Sequence, residues 1–154
     1  MIRTLLIVAI LTAATSIAAA ADPLFGTWQL NLAKSKFSPG PAPKSMARTY
    51  AESAQGTITL TTTTTSADGK TGTATYTYKS DGKPYPVSGS ADADMAAVTR
   101  VDALTANFKQ MRTGATIATG VLTLSKDGKT LTVAQKGTHA SGAPFDDVMV
   151  YDRQ

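Results

Sequence analysis

From about residue 25 onward the chain alternates. At 57–65, Ile58 and Leu60 share one parity, and Thr57, Thr59 and Thr61 take the other. At 73–78, Ala74, Tyr76 and Tyr78 oppose Thr73, Thr75 and Thr77. Leu131 and Val133 repeat the pattern, and near the end Val148 and Val150 oppose Met149 and Tyr151. A period of two marks strands with one dry and one wet face. Read from turn to turn, the pattern predicts about ten strands, near 25–31, 46–54, 57–66, 71–79, 84–88, 94–102, 104–111, 115–125, 129–137 and 145–152. Long helical periodicity is missing.

Three similar tetrapeptides separate the strands: Ala67-Asp68-Gly69-Lys70, Ser80-Asp81-Gly82-Lys83 and Lys126-Asp127-Gly128-Lys129. Asp-Gly between alternating runs predicts tight hairpins of type I′. The recurrence reads as repeated turn chemistry, and the spacing is not that of a calcium loop. Short loops imply a next-neighbour antiparallel meander. Ten such strands without a covering helix must hide their edges, and closure does this. The expected fold is therefore all-β, a single antiparallel up-and-down barrel. A membrane-spanning barrel would need an outward apolar band and aromatic girdles, which the threonine faces do not supply. Residues 32–45 interrupt the pattern with Pro39, Pro41 and Pro43. At most one helical turn fits around Leu32–Lys36, followed by an extended loop that can lie across one barrel end.

The first residues follow another rule. Arg3 precedes an apolar run at 4–14, then Ala18-Ala19-Ala20 or Ala19-Ala20-Ala21 offers an Ala-x-Ala cleavage signal. This predicts a signal peptide at 1–21, a β-barrel domain at 22–154, and an exported protein, periplasmic or secreted. The apolar run is short for a membrane span, so no stable anchor is expected after cleavage. The chain has no Cys, which excludes disulfides, thiol chemistry, thiolate-bound zinc and lipoprotein acylation. About 133 residues would remain, enough for one core. Lys plus Arg number 15 against 11 for Asp plus Glu, and losing Arg3 leaves a net +3. That surplus is spread along the chain, so no nucleic-acid partner is expected.

Residues 24–30 read Leu-Phe-Gly-Thr-Trp-Gln-Leu. A Gly-x-Trp opening the first strand resembles the signature of the calycin superfamily, the lipocalins and fatty-acid-binding proteins. The chain is also similar to bacterial exported lipocalin-like proteins. The resemblance implies a barrel whose end is plugged by Trp28, with Gly26 allowing close backbone approach and a late Arg, here Arg153, stacking on the Trp. The fatty-acid-binding branch is normally unexported and carries a helical lid after strand one, where this chain has its proline-rich loop. That branch also bears an Arg-x-Tyr pair on the last strand for a ligand carboxylate. Here Tyr151 matches the Tyr, but Met149 stands where the Arg would be.

Candidate cavity-lining residues are Tyr76, Tyr78, Phe108, Met149 and Tyr151, with Arg100 or Arg112 as substitutes for the missing anionic anchor. Ala74, Ala106, Ala118 and Thr119 would leave room inside. His139 sits in a loop, where Asp146 or Asp147 could orient it as a base, but no nucleophile accompanies it and no catalytic set is assigned. His139 with Asp92 and Asp94 makes a poor metal set, and no cofactor is implied. Three classes follow: an exported barrel that binds a small hydrophobic or amphipathic molecule, a filled structural or interaction domain, and an enzyme built on His139 or a Tyr. An interior void separates the first from the second.

Overall fold

The computed structural model describes residues 22–154, so the expected signal segment lies outside the described residues. Ten antiparallel strands run in chain order: β1 (Gly26–Leu30), β2 (Ser45–Glu52), β3 (Ile58–Thr65), β4 (Thr71–Tyr78), β5 (Asp81–Ser88), β6 (Met95–Arg100), β7 (Thr105–Arg112), β8 (Ala115–Leu124), β9 (Thr130–Thr138) and β10 (Pro144–Arg153). Each pairs with its sequence neighbour, and β1 closes the barrel on β10 through Trp28↔Arg153 and Leu30↔Tyr151. Closure covers most strand edges; the exception is β4–β5, paired only through Thr75↔Ser88 and Tyr76↔Val87. The only helical pieces among the described residues are short 3₁₀ turns at Leu32–Lys34 and Ala54–Gly56.

Register turns the period of two into an inside and an outside. The pairs Arg48↔Thr62, Tyr50↔Leu60 and Leu60↔Tyr76 align one face across β2, β3 and β4. Met149↔Val133 and Leu122↔Val133 align it across β10, β9 and β8. The odd-numbered threonines of β3 and β4 stand outside, where Thr63–Thr73 and Thr65–Thr71 make cross-strand hydroxyl pairs at 3.3 and 3.0 Å. Thr119 also stands outside, because Ala118 and Gly120 hold the inward parity of β8. It therefore leaves no interior room, contrary to expectation.

The end near the first strand is filled. Trp28, Tyr151, Leu131 and Val133 are fully buried toward that end, and Met149, also buried, sits where the filled half meets the cavity. The Trp28 indole donates to Leu24 O at 2.9 Å, and the Arg153 guanidinium lies 4.3 Å over its ring. Arg153 also donates to Gly128 O, Phe25 O and Pro23 O. Gly26 has φ +126°, and a Cβ there would lie 3.0 Å from Arg153 Nη1. Only glycine combines that dihedral with so close an approach.

The turns differ from expectation. At Asp68-Gly69 and Asp127-Gly128 positive φ is confined to the glycine, so these are not type I′. Each is a wider loop in which a serine (Ser66 or Ser125) donates to the aspartate, which also accepts the following lysine amide. The I′ pattern of two positive φ values falls instead on Thr113 (47°) and Gly114 (81°), between β7 and β8. Asp81-Gly82 lies within β5 at a register shift. Residues 31–38 continue from β1 along the same backbone edge of β10, with Lys36 bridging Val148, and the prolines then line the open barrel end.

Candidate functional site at the open end of the barrel

Opposite the Trp28 plug the barrel opens into a cavity of about 680 Å³. Phe37 and the prolines of the proline-rich segment form one wall. Met46, Thr62, Ala74, Tyr76, Gln110, Gln135 and Met149 bring the inward faces of β2, β3, β4, β7, β9 and β10 to it. A second void of about 50 Å³ lies deeper, against Tyr50, Tyr78, Phe108 and Leu122. Arg48 lines both.

Arg48 is the residue that sequence reasoning missed. It stands mid-strand on β2 between Met46 and Tyr50, two large inward residues of its own parity. That shared parity was the available signal. Its Nη1 donates to Tyr50 Oη at 3.3 Å, and its guanidinium carbon lies 5.2 Å over the Tyr151 ring. Its Nε is shut off from solvent without a hydrogen-bond partner, and so is Oγ1 of the adjacent Thr62. Among the described residues no carboxylate forms an ion pair with Arg48. Burial pushes the Tyr76, Tyr78 and Tyr151 hydroxyls above their ordinary values, so these neighbours remain neutral phenols at physiological pH. An arginine stays protonated. The interior therefore holds one positive charge that phenols and aromatic faces soften but do not neutralise.

The residues chosen from sequence divide among three places. Tyr76 and Met149 line the large cavity, while Tyr78 and Phe108 face the deeper void. Phe108 fits over Gly120, where a Cβ would come within 2.3 Å of its ring. Tyr151 lies beneath, its hydroxyl directed at Met46 Sδ (2.9 Å) and Met149 Sδ (3.3 Å). Arg100 touches the deeper void, but its guanidinium is held at the plugged end by Asp102 O (2.7 Å), Ala103 O (2.6 Å) and Asp22 (3.0 Å). Arg112 is not part of the cavity wall and donates to Ala91 O in the β5–β6 loop. Neither arginine presents an unengaged charge to the interior, because loop carbonyls at the two ends capture them.

His139 and Asp92 meet at the cavity rim, with Nδ1 2.9 Å from Oδ2, and Asp92 also accepts the Ala140 amide at 2.7 Å. The partner is thus Asp92 of the β5–β6 loop, not Asp146 or Asp147. Burial opposes ionisation of Asp92, but the Ala140 amide and His139 outweigh it and hold the carboxyl below its ordinary value. The His139 ring lies 4.6 Å from Phe145. Asp147 faces the cavity and accepts the Ser38 amide at 3.1 Å, and burial holds its carboxyl above the ordinary value. Among the described residues no group of three or more His, Cys, Asp or Glu side chains could hold a metal ion.

No family model matches the chain, and no curated protein is similar to it in sequence. Solved structures share its fold. The wild-type fluorescent protein UnaG superposes with a TM-score of 0.54 at 14% identity, over 85% of this chain and 97% of that one. A redesigned β-barrel gives 0.52 at 18% identity, over 91% and 99%. Rv2717c from M. tuberculosis gives 0.54 at 15% identity, over 86% and 93%. At these identities the likeness is one of fold, and the fold is calycin-like: a closed ten-stranded barrel of the fatty-acid-binding-protein type.

Proposed function

We propose that this protein is an exported lipocalin-like carrier that holds a small amphipathic molecule in the open half of its barrel. The cavity carries this reading. Its volume of about 680 Å³ falls in the range of small-molecule sites, roughly 300–1,000 Å³. Its wall mixes methionine and aromatic surface with threonine and glutamine, which suits a ligand that is apolar along most of its length. The filled half of the barrel supplies rigidity and sets the depth to which a ligand can enter. Export rests on the Arg3, apolar and Ala-x-Ala pattern of the first residues.

The test is fluorescence of Nile red on titration with the protein, followed by native mass spectrometry of protein recovered from the exported fraction. The expected outcome is saturable 1:1 dye binding and a co-purified small molecule on a chain that begins near Ala21 or Asp22. A barrel that takes up neither dye nor endogenous molecule is the filled structural domain instead. A full-length chain would overturn the export reading.

A further inference from the structure

We infer that the ligand is a monoanion of the carboxylate class, and that Arg48 of β2, with Thr62 beside it on β3, is its anchor. The inference rests on the carrier reading and deepens it. Three observations converge. Arg48 is a charged side chain between the open cavity and the deeper void, so an anionic group entering from the open end meets the guanidinium at the cavity floor. Arg48 Nε and Thr62 Oγ1 are donors without acceptors, on directly paired residues of adjacent strands. Buried donors are almost always satisfied, so two together mark a place where an acceptor belongs. Both would gain one from a carboxylate if the guanidinium turns slightly toward the cavity. Finally, among the described residues Arg48 is the cavity's cation that no carboxylate pairs: Lys70 at the rim is held by Asp68, His139 by Asp92, and Arg100 and Arg112 by loop carbonyls, while Asp147 puts a carboxyl on the same wall. One positive charge at the cavity floor, with Asp147 already on the wall, matches at most one further negative charge, and a dianion would leave an excess.

The position differs from the last-strand arginine expected of the fatty-acid-binding branch. In this chain Met149 occupies that place, and its sulfur accepts the Tyr151 hydroxyl. The charge enters from the opposite side of β1, and its cationic face packs on the same Tyr151.

The experiment compares decanoate with 1-decanol as competitors for Nile red in the intact barrel, in wild type, Arg48→Met and Arg48→Lys. The two ligands share a chain and differ in charge. Wild type is expected to prefer decanoate by about tenfold or more, as for a charge-assisted hydrogen bond in a desolvated site. Arg48→Met should bind both equally, with decanol affinity kept within about threefold, and Arg48→Lys should keep part of the preference. Equal affinities in wild type overturn the anchor while leaving the carrier reading intact, and this arm needs no variant to fold. A decanoate preference that survives Arg48→Met also overturns it. Failure of Nile red and both competitors to bind overturns the carrier reading and the anchor with it.

Discussion

At the scale of single residues, two large side chains set the character of the two barrel halves. Trp28 fills the closed end, and its lone polar atom is satisfied by Leu24 O. Arg48 is set into the floor of the open half, and its Nε lacks a partner. A satisfied plug stabilises, whereas an unpartnered charge costs stability unless a ligand supplies the acceptor. Trp28→Ala should therefore lower unfolding stability by about 3–5 kcal/mol in urea titration, which approaches the whole stability of a small domain. A loss under about 1 kcal/mol would show that Trp28 does not hold the plug. The motif Trp and its late Arg partner were legible in the sequence because the reading rested on position in the first and last strands. Arg48 was not, because one arginine in a threonine-rich strand looks like any solvated cation until its parity with Met46 and Tyr50 is given an inside.

At the scale of elements, the strands were legible almost throughout, since a two-residue period survives in sequence without reference to any partner. The turns were less so. The Asp-Gly pairs recur as expected, but hydroxyl and carboxylate bonds within the Ser66 and Ser125 loops stabilise a wider connection than type I′. The I′ turn falls on Thr113-Gly114, where a β-branched residue sits at φ +47°. Such a residue is strained in the left-handed region, at a cost of roughly 1–2 kcal/mol. The Thr113 amide bond to Asp94 at 2.8 Å helps hold it there, and an Asn would keep that bond. Thr113→Asn should raise stability by about 1 kcal/mol and the thermal midpoint by a few degrees. An unchanged or lower midpoint would mean the strain is relieved by other means.

At the scale of the whole molecule, the open end is held by loops from three parts of the chain, through Asp92 with His139 and Ala140, and through Asp147 with Ser38. The two aspartates have opposite signs. Asp92 titrates below its ordinary value in the fold, so its contribution is present above the unfolded pKa and is lost as pH falls through the folded one. Asp147 titrates above its ordinary value because of burial. Its cost to the fold is absent in acid, develops as pH rises through the unfolded pKa, and is complete above the folded one. Asp147→Asn should thus raise the urea midpoint at pH 7, and Asp92→Asn should lower it, with both differences shrinking as pH falls below about 4. Effects of the same sign, or independent of pH, would contradict this account of the rim.

Local pattern alone specified the strands, the all-β class and the closed meander, whereas the plugged end was implied by the Gly-x-Trp resemblance. The strands, the class and the meander follow from local parity, turn residues and the lack of any other cover for strand edges. Which parity of β10 faces inward was settled in three dimensions, since Val148 and Val150 are as apolar as Met149 and Tyr151. Barrel register settles it: Met149 and Tyr151 pair with Val133 and Leu131 and are buried with them, while Val148 stays exposed. Likewise, the capture of Arg100 and Arg112 by loop carbonyls, the choice of Asp92 as the partner of His139, and the placement of Arg48 over Tyr151 all join residues far apart in the chain. Such contacts depend on barrel register and curvature, which no local pattern encodes. Arg48 of β2 thus meets Tyr151 of β10 only because β1 pairs with both strands.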